Sequence, residues 1–212
     1  MNYLELINKC LVELNYKQVN NFEELVKNDH KKIKNIINII NSEVCRSDKW
    51  NFLLRKMTLT LPKNTGEIEN TVPGRLATVL VNGVKYEFFE DFEKFLMNTQ
   101  PPCTYSVFGD KLLFPVFSEN KTIEVVYYTK NNAADTNSNE KTSLESADDS
   151  SLIPDPFAEP LLVYGTCLRL KANPQHVKFS YWLSMYNDAL ANLRSRNFVS
   201  MDVTPTVKLF RY

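Results

Sequence analysis

Glycine is scarce in this sequence, five residues in 212, and the five stand at separate turns. A loop of the G-x-x-x-x-G-K or G-x-G-x-x-G kind, whose backbone N–H groups cradle phosphates, therefore has no place in it. Histidine is scarcer, with His30 and His176 alone. Neither lies in H-E-x-x-H, and His176 falls at an expected helix start, where a solvated or capping role is the default. Cys10, Cys45, Cys103 and Cys167 are scattered without C-x-x-C spacing, so buried free thiols are expected rather than a disulfide framework or a zinc site. Net charge is lacking too: 25 basic and 25 acidic side chains cancel. That removes any strong electrostatic case for gripping nucleic acid or an anionic membrane, and points to a protein partner. The longest apolar run, LLVYGTCLRL, is too short for a bilayer and is broken by Gly165, Thr166 and Arg169. The opening MNYLELINKCLVEL carries acid early and lacks the pattern of a secretory signal, so a soluble intracellular product with no membrane partner is expected.

The chemistry of catalysis is equally thin. The acidic pairs Glu90-Asp91 and Asp148-Asp149 are adjacent in sequence, which sends their side chains to different faces, and carboxylates are seldom buried, so both pairs read as solvated surface. The aromatic and lysine residues of VVYYTK could stack bases, but alternation along a half-buried strand yields the same pattern and is the favoured reading. No cofactor, metal or catalytic residue is expected. An enzyme reading has only Asp155 and Glu159 to draw on.

What is present is a 43% hydrophobic chain with a clear order of elements, enough to bury a core as one domain or as a domain carrying an inserted module. Residues 1–50 read as helices. Leu4, Ile7, Leu11 and Leu14 share one stripe, and Ile33, Ile36, Ile37, Ile40 and Val44 form a second. Asn21 with Glu24 predicts a capping box before a short helix over Phe22–Lys27, and Asp29 is the expected cap of the longer one. Residues 51–130 read as an inserted antiparallel β-module of five or six strands. In it Met57, Leu59 and Leu61 alternate with polar residues, Asn82-Gly83 is a strong two-residue hairpin signal, and Gly109-Asp110 a second. Residues 131–153 are polar and acidic, with Leu144 their only large aliphatic before the closing LIP, and read as a mobile loop.

Helices return over 154–196. One is expected over Phe157–Lys171, and Asn173-Pro174 is expected to cap and open the last. Its Phe179, Trp182, Tyr186, Ala189 and Leu193, widened by Leu183, Met185 and Leu190, form an apolar arc of about 160°. So wide an arc suits both an internal core and a lateral contact, for which Tyr181, Met185 and Leu190 are the candidates. Residues 197–212 are too β-branched and proline-interrupted for helix, yet carry Val207, Leu209, Phe210 and Tyr212, an apolar set that suits docking on another chain or packing back on its own domain. The fold class is therefore α+β: a bundle of N- and C-terminal helices, an inserted antiparallel β-module and an extended tail.

The order of elements carries a resemblance. Helices running into Trp50 and Phe52, then R-K-M-T-L-T-L-P, an N-G hairpin, P-P-x-x-Y-x-V-x-G-D-x-L-x-F-P from Pro101 to Pro115, a strand ending in Tyr127-Tyr128, and a closing helical block from near Pro154 together resemble the head-to-tail adaptors of short-tailed bacteriophages, the tail tubular protein A type and the related ring proteins of crAss-like phages. The likeness spans residues 1–196. It implies a structural virion protein without cofactor, made in the host cytoplasm and built into the neck as a ring of about a dozen copies beneath the portal. The partners it implies are the portal, further copies of the chain and the next tail or ring protein, with DNA passing through the channel unread. It also implies that the C-terminal segment reaches the portal, and that the hairpin of Tyr105, Gly109, Asp110 and Phe114 faces the next subunit or ring. The competing expectation is an interaction or scaffold module of the same layout with no portal.

Overall fold

The computed structural model describes residues 1–199; Val207, Leu209, Phe210 and Tyr212 lie outside the described residues. The fold is α+β, and the chain divides into two units: Leu53–Lys130, and Met1–Phe52 together with the residues from Asn131 onward.

The unit Leu53–Lys130 is built on a seven-stranded sheet. Its strands are β1 (Leu54–Leu61), β2 (Glu67–Glu69), β3 (Gly74–Val81), β4 (Val84–Phe88), β5 (Thr104–Phe108), β6 (Lys111–Leu113) and β7 (Lys121–Thr129), in the order β1-β7-β3-β4-β5-β6-β2. Register explains the core. Leu59 faces Ile123, Met57 faces Val125, Val81 faces Ile123 and Val79 faces Val125, so the apolar side of each alternating strand lands on the same face. Tyr105, Leu112 and Phe114 join that cluster. Asn82 and Gly83 both take positive φ (50° and 82°), as a twisted two-residue hairpin requires, and Gly109 takes φ 59° at the second hairpin.

Two expectations are corrected here. The module is not antiparallel throughout: β4 and β5 pair in parallel, Glu87 with Thr104 and Phe88 with Tyr105, because residues 89–103, with the short helix α3 (Glu93–Leu96), form a crossover instead of a turn. The stretch KNTGEIENTVPG is also more than a connection. It contributes β2, a sheet edge paired to β6.

In the other unit, α1 (Tyr3–Glu13) and α2 (Asn28–Ser47) pack with a helical stretch made of a π turn (Pro160–Tyr164) running into α4 (Gly165–Leu170), and with α5 (Phe179–Val199). Leu161, Leu162 and Val163 are buried in succession, which a one-faced helix cannot achieve, and α1, α2 and α5 cover this stretch from several sides. Gly165 makes the closeness possible, since a Cβ there would lie 3.0 Å from a Tyr186 ring carbon and 3.2 Å from Ile40 Cδ1. Trp50 is fully buried and donates its indole N–H to the Val44 carbonyl (2.6 Å).

The helix starts differ from expectation. Asn21 and Glu24 do not form a capping box, and only a 3₁₀ turn, Phe22–Glu24, follows them. The box lies at Asn2 and Glu5 instead: Asn2 Oδ1 accepts from Glu5 N (2.9 Å) and Glu5 Oε2 from Asn2 N (3.0 Å). Helix α2 begins at Asn28, with Lys27 rather than Asp29 at its cap. Helix α5 begins at Phe179 rather than Pro174, because Asn173 closes a local turn, its Oδ1 accepting from Gln175 N (3.0 Å).

The largest correction concerns residues 131–153. Far from a free loop, they form a three-stranded sheet of β8 (Ala133–Ala134), β9 (Glu140–Lys141) and β10 (Ser150–Ser151), ordered β10-β8-β9. Polar groups on the helices replace the missing hydrophobic drive. Asn38 exchanges two bonds with the Leu144 backbone (2.9 and 2.8 Å), and fully buried Asn41 donates to the Asn132 carbonyl (2.9 Å) and accepts from Ser151 Oγ (2.6 Å). Leu144 and Ile153 are buried.

Candidate assembly surface

No group of three or more His, Cys, Asp or Glu side chains among the described residues is placed to hold a metal, and no described helix is long and apolar enough to cross a membrane. His176 stacks on Trp182 (ring centroids 5.0 Å apart), and its Nδ1 accepts from Lys178 N (3.2 Å) in the turn before α5. His30 is buried on α2. Asp155 is exposed and Glu159 half-buried, where it is held by Lys9 (2.6 Å). Cys10, Cys45 and Cys167 are buried and Cys103 is exposed. Burial raises the Cys10 thiol pKa well above its usual value and pushes that of Cys45 up to about 12, so neither is a nucleophile at neutral pH.

The surface features with content are apolar. On α5, Trp182, Ala189 and Leu193 are buried. At about 100° per residue they fall on one face, flanked by Met185 on one side and Leu190 on the other. Beyond these shoulders lie Tyr181, 51% exposed, and Leu183, 41% exposed. The apolar arc therefore runs to about 200°, wider than the neighbouring helices cover. The three interface candidates do not share a face: Tyr181 and Met185 line one shoulder, while Leu190 sits with Leu183 on the opposite one. Tyr181 is fixed by an edge-on contact with Tyr164 (ring centroids 5.5 Å apart) and a hydroxyl pair at 3.2 Å, and that bond, with burial, raises the Tyr164 pKa.

Sequence reasoning missed the anchor beneath this shoulder. Glu13 Oε2 accepts from Trp182 Nε1 (3.0 Å), and the Glu13 carbonyl accepts from Lys178 Nζ (2.9 Å). These bonds pin the start of α5 to the end of α1. Nothing in the local pattern around Glu13 announces a partner so far along the chain.

The hairpin candidates separate into core and tip. Tyr105 and Phe114 are buried with rings 6.2 Å apart, while Gly109 and Asp110 are exposed at the turn. The tip is braced from below, the Asp110 carbonyl accepting from Asn70 N (2.7 Å). The structure thus brings the two aromatics together as the footing of a short rigid projection.

The model of the SU10 adaptor protein family matches residues 1–206. The chain belongs to that family. It is thereby a phage adaptor-type structural protein, and the exposed shoulders of α5 and the braced hairpin are surfaces of an SU10-type adaptor. A search of curated proteins found no match.

Proposed function

We propose that this adaptor is the subunit of a head-to-tail connector ring of the tail tubular protein A type, seated beneath the portal in the virion neck and continuing the DNA channel toward the tail. Family membership over almost the whole chain supports the reading, and one observation carries it: α5 leaves apolar side chains exposed on both sides of its buried face. A monomer gains nothing from two such shoulders, whereas a ring subunit has two neighbours. Tyr181 and Met185 would meet one neighbour, and Leu190 with Leu183 the other. The heterologous contact closes a ring without any self-complementary patch.

In this reading the segment bearing Val207, Leu209, Phe210 and Tyr212 docks on the portal, and the Gly109-Asp110 tip faces the next subunit or ring component. The role is structural rather than catalytic, with no cofactor, and DNA passes without sequence-specific contact. Native mass spectrometry of the chain alone, and mixed with the portal ring encoded in the same genome, tests the proposal. The expected result is a light species alone and, with the portal, a complex carrying about a dozen copies. A stable dimer or tetramer that ignores the portal would refute it.

A further inference from the structure

Between the end of α1 and the start of α2 the chain forms a pocket of about 330 Å³, within the size range of small-ligand sites. One side is the segment that follows α1. Asn8 holds that segment in place, its Nδ2 donating to the Val19 carbonyl (2.9 Å) and its Oδ1 accepting from Val19 N (2.9 Å), while Tyr16 N donates to the Leu11 carbonyl (2.7 Å). Tyr16 and Val19 give this side apolar surface, and Lys17 lies between them in the chain. The other side is the first turn of α2, a helix of 20 residues. Lys27 at its cap makes no side-chain bond, so no capping acceptor meets the first-turn N–H groups.

His30 is the second, independent feature. It lines the pocket, is only 6% exposed, and its Nδ1 has no hydrogen-bond partner. An unpaired buried nitrogen is costly, and the pocket beside it is where a partner can enter.

We propose that this pocket binds a short aliphatic carboxylate, either free or as a glutamate side chain of another protein. The end of α2 supplies free N–H donors and roughly half a positive charge, the arrangement that receives anions. Lys17 and Lys27 add two positive charges, and Glu24 and Asp29 offset them. Glu24 is already engaged, accepting from Asn20 N and Asn21 Nδ2 (both 3.4 Å). What is left over suits one negative charge rather than the nearly two of a phosphate monoester at neutral pH. With its hydrogen on Nδ1, the His30 ring donates to one carboxylate oxygen and the helix N–H groups to the other. Tyr16 and Val19 cover the methylene groups of the ligand. The inference goes beyond the connector reading and rests on neither ring nor portal.

Nuclear magnetic resonance of the full chain with isotope-labelled histidine tests it, because the sequence holds two histidines and His176→Gln assigns their ring nitrogens. The probes are propionate and N-acetylglutamate amide, which present the same carboxylate arm, titrated at constant pH and ionic strength. The His30 nitrogens should shift saturably, with a Kd of about 1 mM, while those of His176 stay in place. Tighter binding of the blocked glutamate would identify a protein side chain as the source, and equal or tighter binding of propionate a free ligand. Inorganic phosphate should bind more weakly than both. Replacing Lys17 and Lys27 together by Gln should weaken binding by about fivefold. The same change at Lys31 and Lys32, exposed on the same helix but outside the pocket, should leave it unaltered. No saturable shift at His30, an equal response to phosphate, or equal weakening by the two lysine pairs would overturn the proposal.

Discussion

Asp148 and Asp149 are neighbours with opposite fates. Asp148 is exposed, whereas Asp149 is 2% exposed, its carboxylate accepting from Glu145 N (2.7 Å), Ser146 N (2.8 Å) and Lys141 Nζ (3.0 Å). Its own carbonyl accepts from Tyr3 N (2.8 Å), so one residue ties the polar segment to the start of α1. Burial opposes its ionisation, but these donors outweigh burial and hold its pKa below the usual carboxylate value. Asp149→Asn keeps the shape, turns an acceptor into a donor facing donors, and should cost about 2 kcal/mol in urea unfolding. Because the folded pKa is depressed, the stabilisation is complete above the unfolded value near 3.9 and is lost as pH falls through the folded one. The wild type should therefore lose stability below about pH 4 more steeply than Asp149→Asn, and parallel acid limbs would count against this role. None of this was readable beforehand: an acidic pair in a polar stretch looks like solvated surface until the donors around it are placed. Gly74 is a second such residue, where a Cβ would collide with the Tyr128 carbonyl and lie 2.9 Å from the Tyr127 ring. Gly74→Ala should cost about 1–3 kcal/mol by forcing β3 and β7 apart, measured as a lowered urea midpoint.

At the scale of elements, legibility followed the source of the stabilising energy. Strands β1, β3 and β7, the Asn82-Gly83 and Gly109-Asp110 hairpins and the stripe of α2 were all visible, because alternation, helical spacing and turn chemistry are local properties. Strands β8, β9 and β10 were not, because two-residue strands carry no period and their support comes from Asn38 and Asn41, about a hundred residues away. The apolar arc of α5 was legible, but its division was not: which part is buried depends on Glu13 and on the helices that meet it. That division makes a prediction. Trp182→Ala should cost about 3–5 kcal/mol, since it empties a fully buried site and strips Glu13 of a donor. Tyr181→Asp and Leu183→Asp, on the exposed shoulders, should change stability by less than about 1 kcal/mol while abolishing the multi-copy complex that native mass spectrometry shows with the portal. If the shoulder variants unfold the chain, or still assemble with the portal like the wild type, the division of α5 into core and contact faces is wrong.

At the scale of the whole molecule, the two units differ in how the chain makes them. Leu53–Lys130 is one continuous piece whose ends are neighbours, because β7 pairs with the whole of β1, with Leu54 opposite Tyr128. The other unit is assembled from both ends of the chain: α1 and α2 contribute Leu6, Ile7, Leu11, Ile33 and Ile37 to a core that residues 131–199 must complete. Continuity has a thermodynamic consequence, since a segment with its own core and adjacent ends has no long loop to close. Residues 53–130 made alone should therefore fold, with a cooperative urea transition, and Phe114→Ala should lower its stability by about 3–5 kcal/mol by hollowing the centre of the sheet core. Residues 1–52 alone should not fold, because α1 and α2 would leave those five side chains in water and lack the Leu144 backbone that Asn38 bonds. Circular dichroism with urea titration of the two pieces decides the matter. A folded 1–52 fragment, or an unfolded 53–130 fragment, would mean that the stability of this adaptor does not follow the division of its cores.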